Sequence, residues 1–225
     1  MLYDVPDRAM GHKLFQPLPS RDEEKIMKLT NTIRKLEAGE PLRIIALGDS
    51  LTQGWMVRKG FLAFLAEMLK KKYPSGRVEI INRGIPGDTA DGGLYRLRHD
   101  VLDHDPDLVF IQFGLNDAFT GVHPGRFEAA VQAMVDGVKS DTEAEILLIT
   151  SVPVVYERMD EIADEFYTRL EAVAARENLP IARVHRYWMR KVEEGLEFRS
   201  LVQSDQVHPT IEGYRLMAEA IMELF

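Results

Sequence analysis

From residue 42 onward the chain alternates short, mostly apolar runs with longer stretches whose apolar positions recur every three or four residues. The short runs lie at 42–47, 78–81, 108–113, 146–150 and 179–184. Runs this apolar predict strands covered on both faces. The longer stretches predict helices over about 59–73, 88–102, 124–139 and 158–177, the first of them stopped by Pro74. Pro209 suits the first position of a closing helix whose buried face is Ile211, Tyr214, Met217, Ile221 and Leu224. Upstream, Ser20 and Glu23 form a capping-box pattern for a helix over about 21–38. Its apolar stripe is Ile26, Leu29, Ile33 and Leu36, and Gly39 ends it.

Strands that alternate with helices pair in parallel, and right-handed crossovers then build layers on both faces. The fold class expected is α/β: a three-layer αβα sandwich on a parallel sheet of about five strands, in the flavodoxin-like order 2-1-3-4-5. Residues 1–41 read as an N-terminal extension whose single amphipathic helix packs on the same domain, and 42–225 as the domain itself. No internal repeat or linker divides it.

Composition narrows the class further. Of 225 residues 45% are hydrophobic and 28% charged, the balance of a soluble globular protein. No apolar run approaches the roughly 18 residues of a membrane span, so stable membrane insertion is not expected. The N-terminus lacks a basic-then-apolar leader pattern, and the expected location is cytoplasmic. Without cysteine there is no disulfide, thiolate metal site or thiol catalysis. A net charge of −8 argues against a nucleic-acid partner. The one basic cluster, Lys70-Lys71-Lys72, sits where it complements a helix dipole.

Four short segments carry residues that acyl transfer needs: Gly48-Asp49-Ser50-Leu51-Thr52, Asn82-Arg83-Gly84, Gly114-Leu115-Asn116-Asp117 and Asp205-Gln206-Val207-His208. The first three follow or close predicted strands, so they meet along the edge where open α/β sheets bind ligands. Ser50 is a candidate nucleophile, although a serine there also serves as a helix cap. His208 is a candidate base and Asp205 its orienting partner; taken alone, Asp-x-x-His-Pro is also a local capping turn with a surface histidine. Gly84 offers a main-chain donor and Asn116 an uncharged amide for an oxyanion, with the Ser50 N–H as a third. Each has a plainer reading, a turn glycine and an Asx turn. Asp49, Asp88, Asp117 and Asp205 leave a magnesium site as an alternative, though no phosphate-gripping lysine accompanies them, and Asp49 is expected to hydrogen-bond within the cleft wall. The other histidines show no ligand spacing, and the glycine-rich stretches lack the nucleotide-binding fingerprints.

Together, in this order, the four segments resemble the blocks of the SGNH hydrolases, the GDSL-type esterase and lipase family, over about residues 42–225. The resemblance implies a Ser50, His208 and Asp205 triad, an oxyanion hole of Ser50, Gly84 and Asn116, and no metal or organic cofactor. It implies a serine esterase acting on a small-molecule ester through an acyl-enzyme. With no loop long enough for a large lid, small or short-chain esters are expected, and Trp55, Phe119, Val154 and Tyr156 are candidate substrate contacts. A lysophospholipase or acyl thioesterase of the same family is the nearest alternative. From other classes come a non-catalytic binding module and a magnesium-dependent phosphohydrolase.

Overall fold

Five parallel strands make one sheet: β1 (Pro41–Gly48), β2 (Arg77–Gly84), β3 (Leu108–Gln112), β4 (Glu145–Ile149) and β5 (Ile181–Ala182). Their spatial order is β2-β1-β3-β4-β5, the order expected. The computed structural model describes residues 27–225. Ten α-helices surround the sheet among these residues: α1 (Thr30–Ala38), α2 (Ser50–Gln53), α3 (Phe61–Lys72), α4 (Ala90–Asp100), α5 (Leu115–Phe119), α6 (Pro124–Asp141), α7 (Glu157–Glu177), α8 (Val184–Glu193), α9 (Phe198–Leu201) and α10 (Ile211–Met222).

The layering follows from crossover handedness. The step from β1 to β2 runs one way across the sheet and all later steps run the other, so α3 lies on the opposite face from α4, α6 and α7. The packing agrees: α3 lies against α10, α10 against α8, α4 against α6, and α6 against α7. The central strands β1, β3 and β4 carry the core, with Ile44, Ile45, Leu47, Val109, Ile111, Leu147 and Leu148 completely buried. β2 departs from expectation. As an edge strand it mixes exposed and half-buried positions, none fully buried, and is not covered on both faces.

Other boundaries shift for local reasons. α1 begins at Thr30, because the Glu145 carboxylate accepts the N–H groups of Asn31 and Thr32 at 3.0 and 2.7 Å and supplies the cap from a distant strand. The start of the predicted helix, with Ser20, Glu23 and Ile26, lies outside the described residues. Gly39 ends α1 as expected, in the left-handed region at φ 68°. The run at 179–184 pairs over two residues only and passes into α8, whose Trp188 is fully buried. Pro209 does not open α10: Thr210 caps it, accepting the Gly213 N–H. Among the described residues no helix is long and apolar enough to cross a membrane.

Register decides what the fold offers chemically. Gly84 pairs with Gly48, Gly48 with Gln112, Gln112 with Ile149, and Ile149 with Ala182. These five residues form one row across the sheet. The loops beyond it, carrying Ser50, the 85–89 segment and Asn116, therefore leave from a common rim.

Candidate active site

Two residues beyond Gly48, the chain turns into the short helix α2. Its cap is Asp49, whose Oδ1 accepts the Leu51 N–H at 2.8 Å. Ser50 thus has no capping duty. Its hydroxyl lies 2.9 Å from His208 Nε2, and the residue is only 6% exposed. The opposite ring nitrogen, Nδ1, lies 2.7 Å from Asp205 Oδ2. A carboxylate only accepts, so the imidazole proton sits on Nδ1 and Nε2 is left to accept from the serine.

The Asp205 turn does two jobs at once. Its Oδ1 accepts the main-chain N–H groups of Val207 and His208 at 3.0 and 2.9 Å, while Oδ2 takes the ring. The local capping arrangement and the imidazole contact are therefore compatible. Gln206 stands at φ 63° to make this possible. Partial burial alone would raise the Asp205 pKa, but the three hydrogen bonds outweigh it and hold the carboxyl below its ordinary value. On its far side His208 meets the indole of Trp55. Trp55 is itself held through its main chain, donating to Tyr214 Oη at 3.0 Å and accepting from Gln203 Nε2 at 3.0 Å.

Of the expected oxyanion donors, Gly84 is placed differently. Its N–H already donates to Asn82 Oδ1 at 2.9 Å. A Cβ there would stand 2.2 Å from Gln53 N and 2.7 Å from Asp49 O, so this glycine exists to let β2 touch α2. Three residues on, Ile85-Pro86-Gly87-Asp88 closes a turn through Asp88 N–H to Ile85 O at 3.1 Å. Proline second and glycine third, with Gly87 at φ 77°, is the pattern of a type II turn. Gly87 is exposed, nothing lies within 4 Å of where its Cβ would be, and among the described residues its N–H donates to no other main-chain atom. Asn116 donates one amide N–H to Asp88 O at 2.9 Å, which brings its side chain beside that turn, and among the described residues its second hydrogen meets no acceptor.

The strand-end acids turn to separate partners. Asp49 is buried, reached by Gln112 Nε2 at 3.3 Å, and burial pushes its pKa up to about 7. Gln112 also donates to Ser151 Oγ and accepts from Thr52 Oγ1. Asp117 accepts from Ala90 N and Gly114 N, and desolvation raises it to about 6. Asp88 binds Arg96. Among the described residues no three His, Asp or Glu side chains gather in the way a metal ion requires.

Of the candidate substrate contacts, Trp55 packs on His208, Phe119 is half-buried against the core, and Tyr156 is exposed. Val154 lies inside the core instead of lining a surface. Its neighbour Val155 ties that loop to the Asp205 turn, donating its N–H to Gln206 O at 3.4 Å. Sequence reasoning missed Gly87, Gln112 and Arg96. The Pro86-Gly87 dipeptide and a glutamine ending an apolar strand were available signals. Arg96 gave none.

The sequence model of the GDSL-like lipase/acylhydrolase family matches residues 46–216. An arylesterase of Vibrio mimicus is 26% identical over 183 residues, 80% of this chain and 86% of its own length. Thioesterase 1/protease 1/lysophospholipase L1 of Escherichia coli K12 is 27% identical over 177 residues, 78% of this chain and 79% of its own. The crystal structure of Axe2, an acetylxylan esterase from Geobacillus stearothermophilus, superposes with a TM-score of 0.72 at 22% identity, covering 81% of this chain and 93% of that one.

Proposed function

This chain belongs to the GDSL-like lipase/acylhydrolase family and is an ester hydrolase, and we propose that Ser50, His208 and Asp205 are its catalytic triad. The observation that carries the assignment is the continuous relay from Ser50 Oγ to His208 Nε2 at 2.9 Å and from His208 Nδ1 to Asp205 Oδ2 at 2.7 Å. In this reading Ser50 Oγ attacks the ester carbonyl carbon as His208 takes its proton, and Asp205 stabilises the imidazolium that forms. The tetrahedral oxyanion is held by the N–H of Ser50, the N–H of Gly87 and the free amide hydrogen of Asn116. Gly87 replaces Gly84 here because its donor is unspent. Collapse expels the alcohol, which receives the proton from His208. Water, activated by the same imidazole, then adds to the acyl-enzyme, and the acid leaves as Ser50 recovers its proton.

The substrate class is a small or short-chain acyl ester. The rim is built from short helices and turns, α2, the 85–89 segment and α5, which suits a small acyl group. Relatives named for aryl and acetylxylan esters fit that reading. A fluorophosphonate probe should label the protein, and Ser50→Ala should abolish labelling. Across p-nitrophenyl esters from acetate to palmitate, kcat/KM should peak at two to four carbons. A preference for long chains, or for acyl thioesters over matched esters, would overturn the substrate class while leaving the triad standing.

A further inference from the structure

Arg96 of α4 is nearly buried, its side chain 12% exposed, and its guanidinium holds four groups. Nε donates to Asp88 Oδ2 at 2.8 Å, Nη1 to Asp100 Oδ2 at 2.7 Å and to Arg83 O at 2.8 Å, and Nη2 to Gly48 O at 2.9 Å. Asp100 lies one turn on in the same helix, so that contact sets the rotamer of Arg96. The other three contacts reach different parts of the rim. Gly48 ends β1 two residues before Ser50, Arg83 lies at the end of β2, and Asp88 follows Gly87. Asp88 in turn accepts the Asn116 amide on its main-chain oxygen and the Thr89 N–H on Oδ1. Gly92 leaves the room for this seat, since a Cβ there would fall 1.8 Å from Asp88 Oδ1.

We propose that Arg96 is the positioning residue of the oxyanion hole, fixing the Ser50, Gly87 and Asn116 donors relative to one another through Gly48 and Asp88. The proposal rests on the donor assignment above. A planar, five-donor cation suits this role because it bonds several acceptors in fixed directions, which a lysine ammonium does not reproduce. Donors that converge on a developing negative charge stabilise the transition state more than the ground state, so their misplacement lowers turnover before it weakens binding.

The test compares Arg96→Lys and Asp88→Asn with wild type, each normalised to active sites by fluorophosphonate titration so that misfolded protein does not count. Two probes separate positioning from bulk stability: a short trifluoromethyl ketone, which adds Ser50 Oγ to its carbonyl as a tetrahedral mimic, and the corresponding methyl ketone, which stays trigonal. Arg96→Lys should lower kcat by about 10- to 100-fold with KM within about threefold. It should weaken the trifluoromethyl ketone in parallel and leave the methyl ketone unchanged. Asp88→Asn should show a smaller loss of the same form, and carries the test alone if Arg96→Lys does not fold. Arg98→Ala, which removes an exposed charge from the same helix, should leave kcat, KM and both ketone affinities unchanged. Unaltered kcat and mimic affinity, or equal loss of both ketones, would overturn the proposal. Failure of the triad reading would look different: Ser50→Ala would keep its activity and its label.

Discussion

The indole ring of Trp55 stands 5.6 Å from the imidazole of His208, centroid to centroid, with 32° between their planes. Asp205 and Ser50 fix the two nitrogens of that ring, and Trp55 restrains its face. A tilted aromatic neighbour of this kind contributes about 0.5–1.5 kcal/mol and would favour the imidazolium of the proposed mechanism. Trp55→Ala should therefore reduce kcat about 3- to 10-fold, with Trp55→Phe retaining most of it, as measured on p-nitrophenyl acetate. Equal rates in wild type and Trp55→Ala would remove the indole from any role in holding the base.

In the proposed oxyanion hole Asn116 would offer its amide without adding a charge. Asn116→Ala should cost about 10²–10³ in kcat with KM little changed. Steady-state kinetics on a short ester reads both, and a change confined to KM would place Asn116 in substrate binding instead.

The two glycines after Asn82 should respond oppositely to alanine. At Gly84 the new methyl meets the α2 backbone at 2.2 Å, so Gly84→Ala should lower the melting temperature markedly or prevent folding. At Gly87 the space is open but φ is 77°, and alanine there costs about 1 kcal/mol. Gly87→Ala should fold, melt within a few degrees of wild type, and lose turnover as the turn relaxes. Thermal melts beside kcat measurements distinguish the pair.

Asp49 gives stability a direction in pH. Its folded pKa of about 7 lies above the ordinary carboxylate value, so the unfolded chain loses this proton first. Below about pH 4 both states hold it and there is no penalty. As pH rises toward 7 the folded state is progressively disfavoured. Asp117, raised to about 6, adds to the trend up to that point, which leaves the interval from 6 to 7 to Asp49. Each pH unit per unmatched proton is worth about 1.4 kcal/mol, so wild type should lose on the order of 1 kcal/mol across that interval. Urea unfolding of Asp49→Asn at the same pH values should show this slope removed, whatever its absolute stability.

The body of the fold was legible because its signals are local. A buried strand such as 108–112 is apolar at nearly every position, and a helix such as α7 repeats its buried residues Ala163, Phe166, Tyr167, Leu170, Val173 and Ala174 at helical spacing. The helix boundary at Thr30 was not legible, because its cap is the carboxylate of Glu145, more than a hundred residues away in the chain. α2 and α5 are only four and five residues long, too short for a periodicity to register, and hid within what read as loops.

By itself, then, the sequence determined the parallel sheet, its strand order and the kinds of side chain delivered to its rim, since these follow from apolar period and from which residue ends each strand. Tertiary structure alone decided that Asp49 caps α2 and frees the Ser50 hydroxyl, that Asn82 consumes the Gly84 amide while Gly87 keeps its own, and that Arg96 gathers Gly48, Arg83 and Asp88. The Asp49 and Asn82 bonds span only two residues, but such side chains offer several local turns and the sequence does not say which one forms. The Arg96 bonds cross the sheet edge: a hydrogen bond reaches about 3 Å in space whatever the separation along the chain, so no reading of neighbours in sequence contains them.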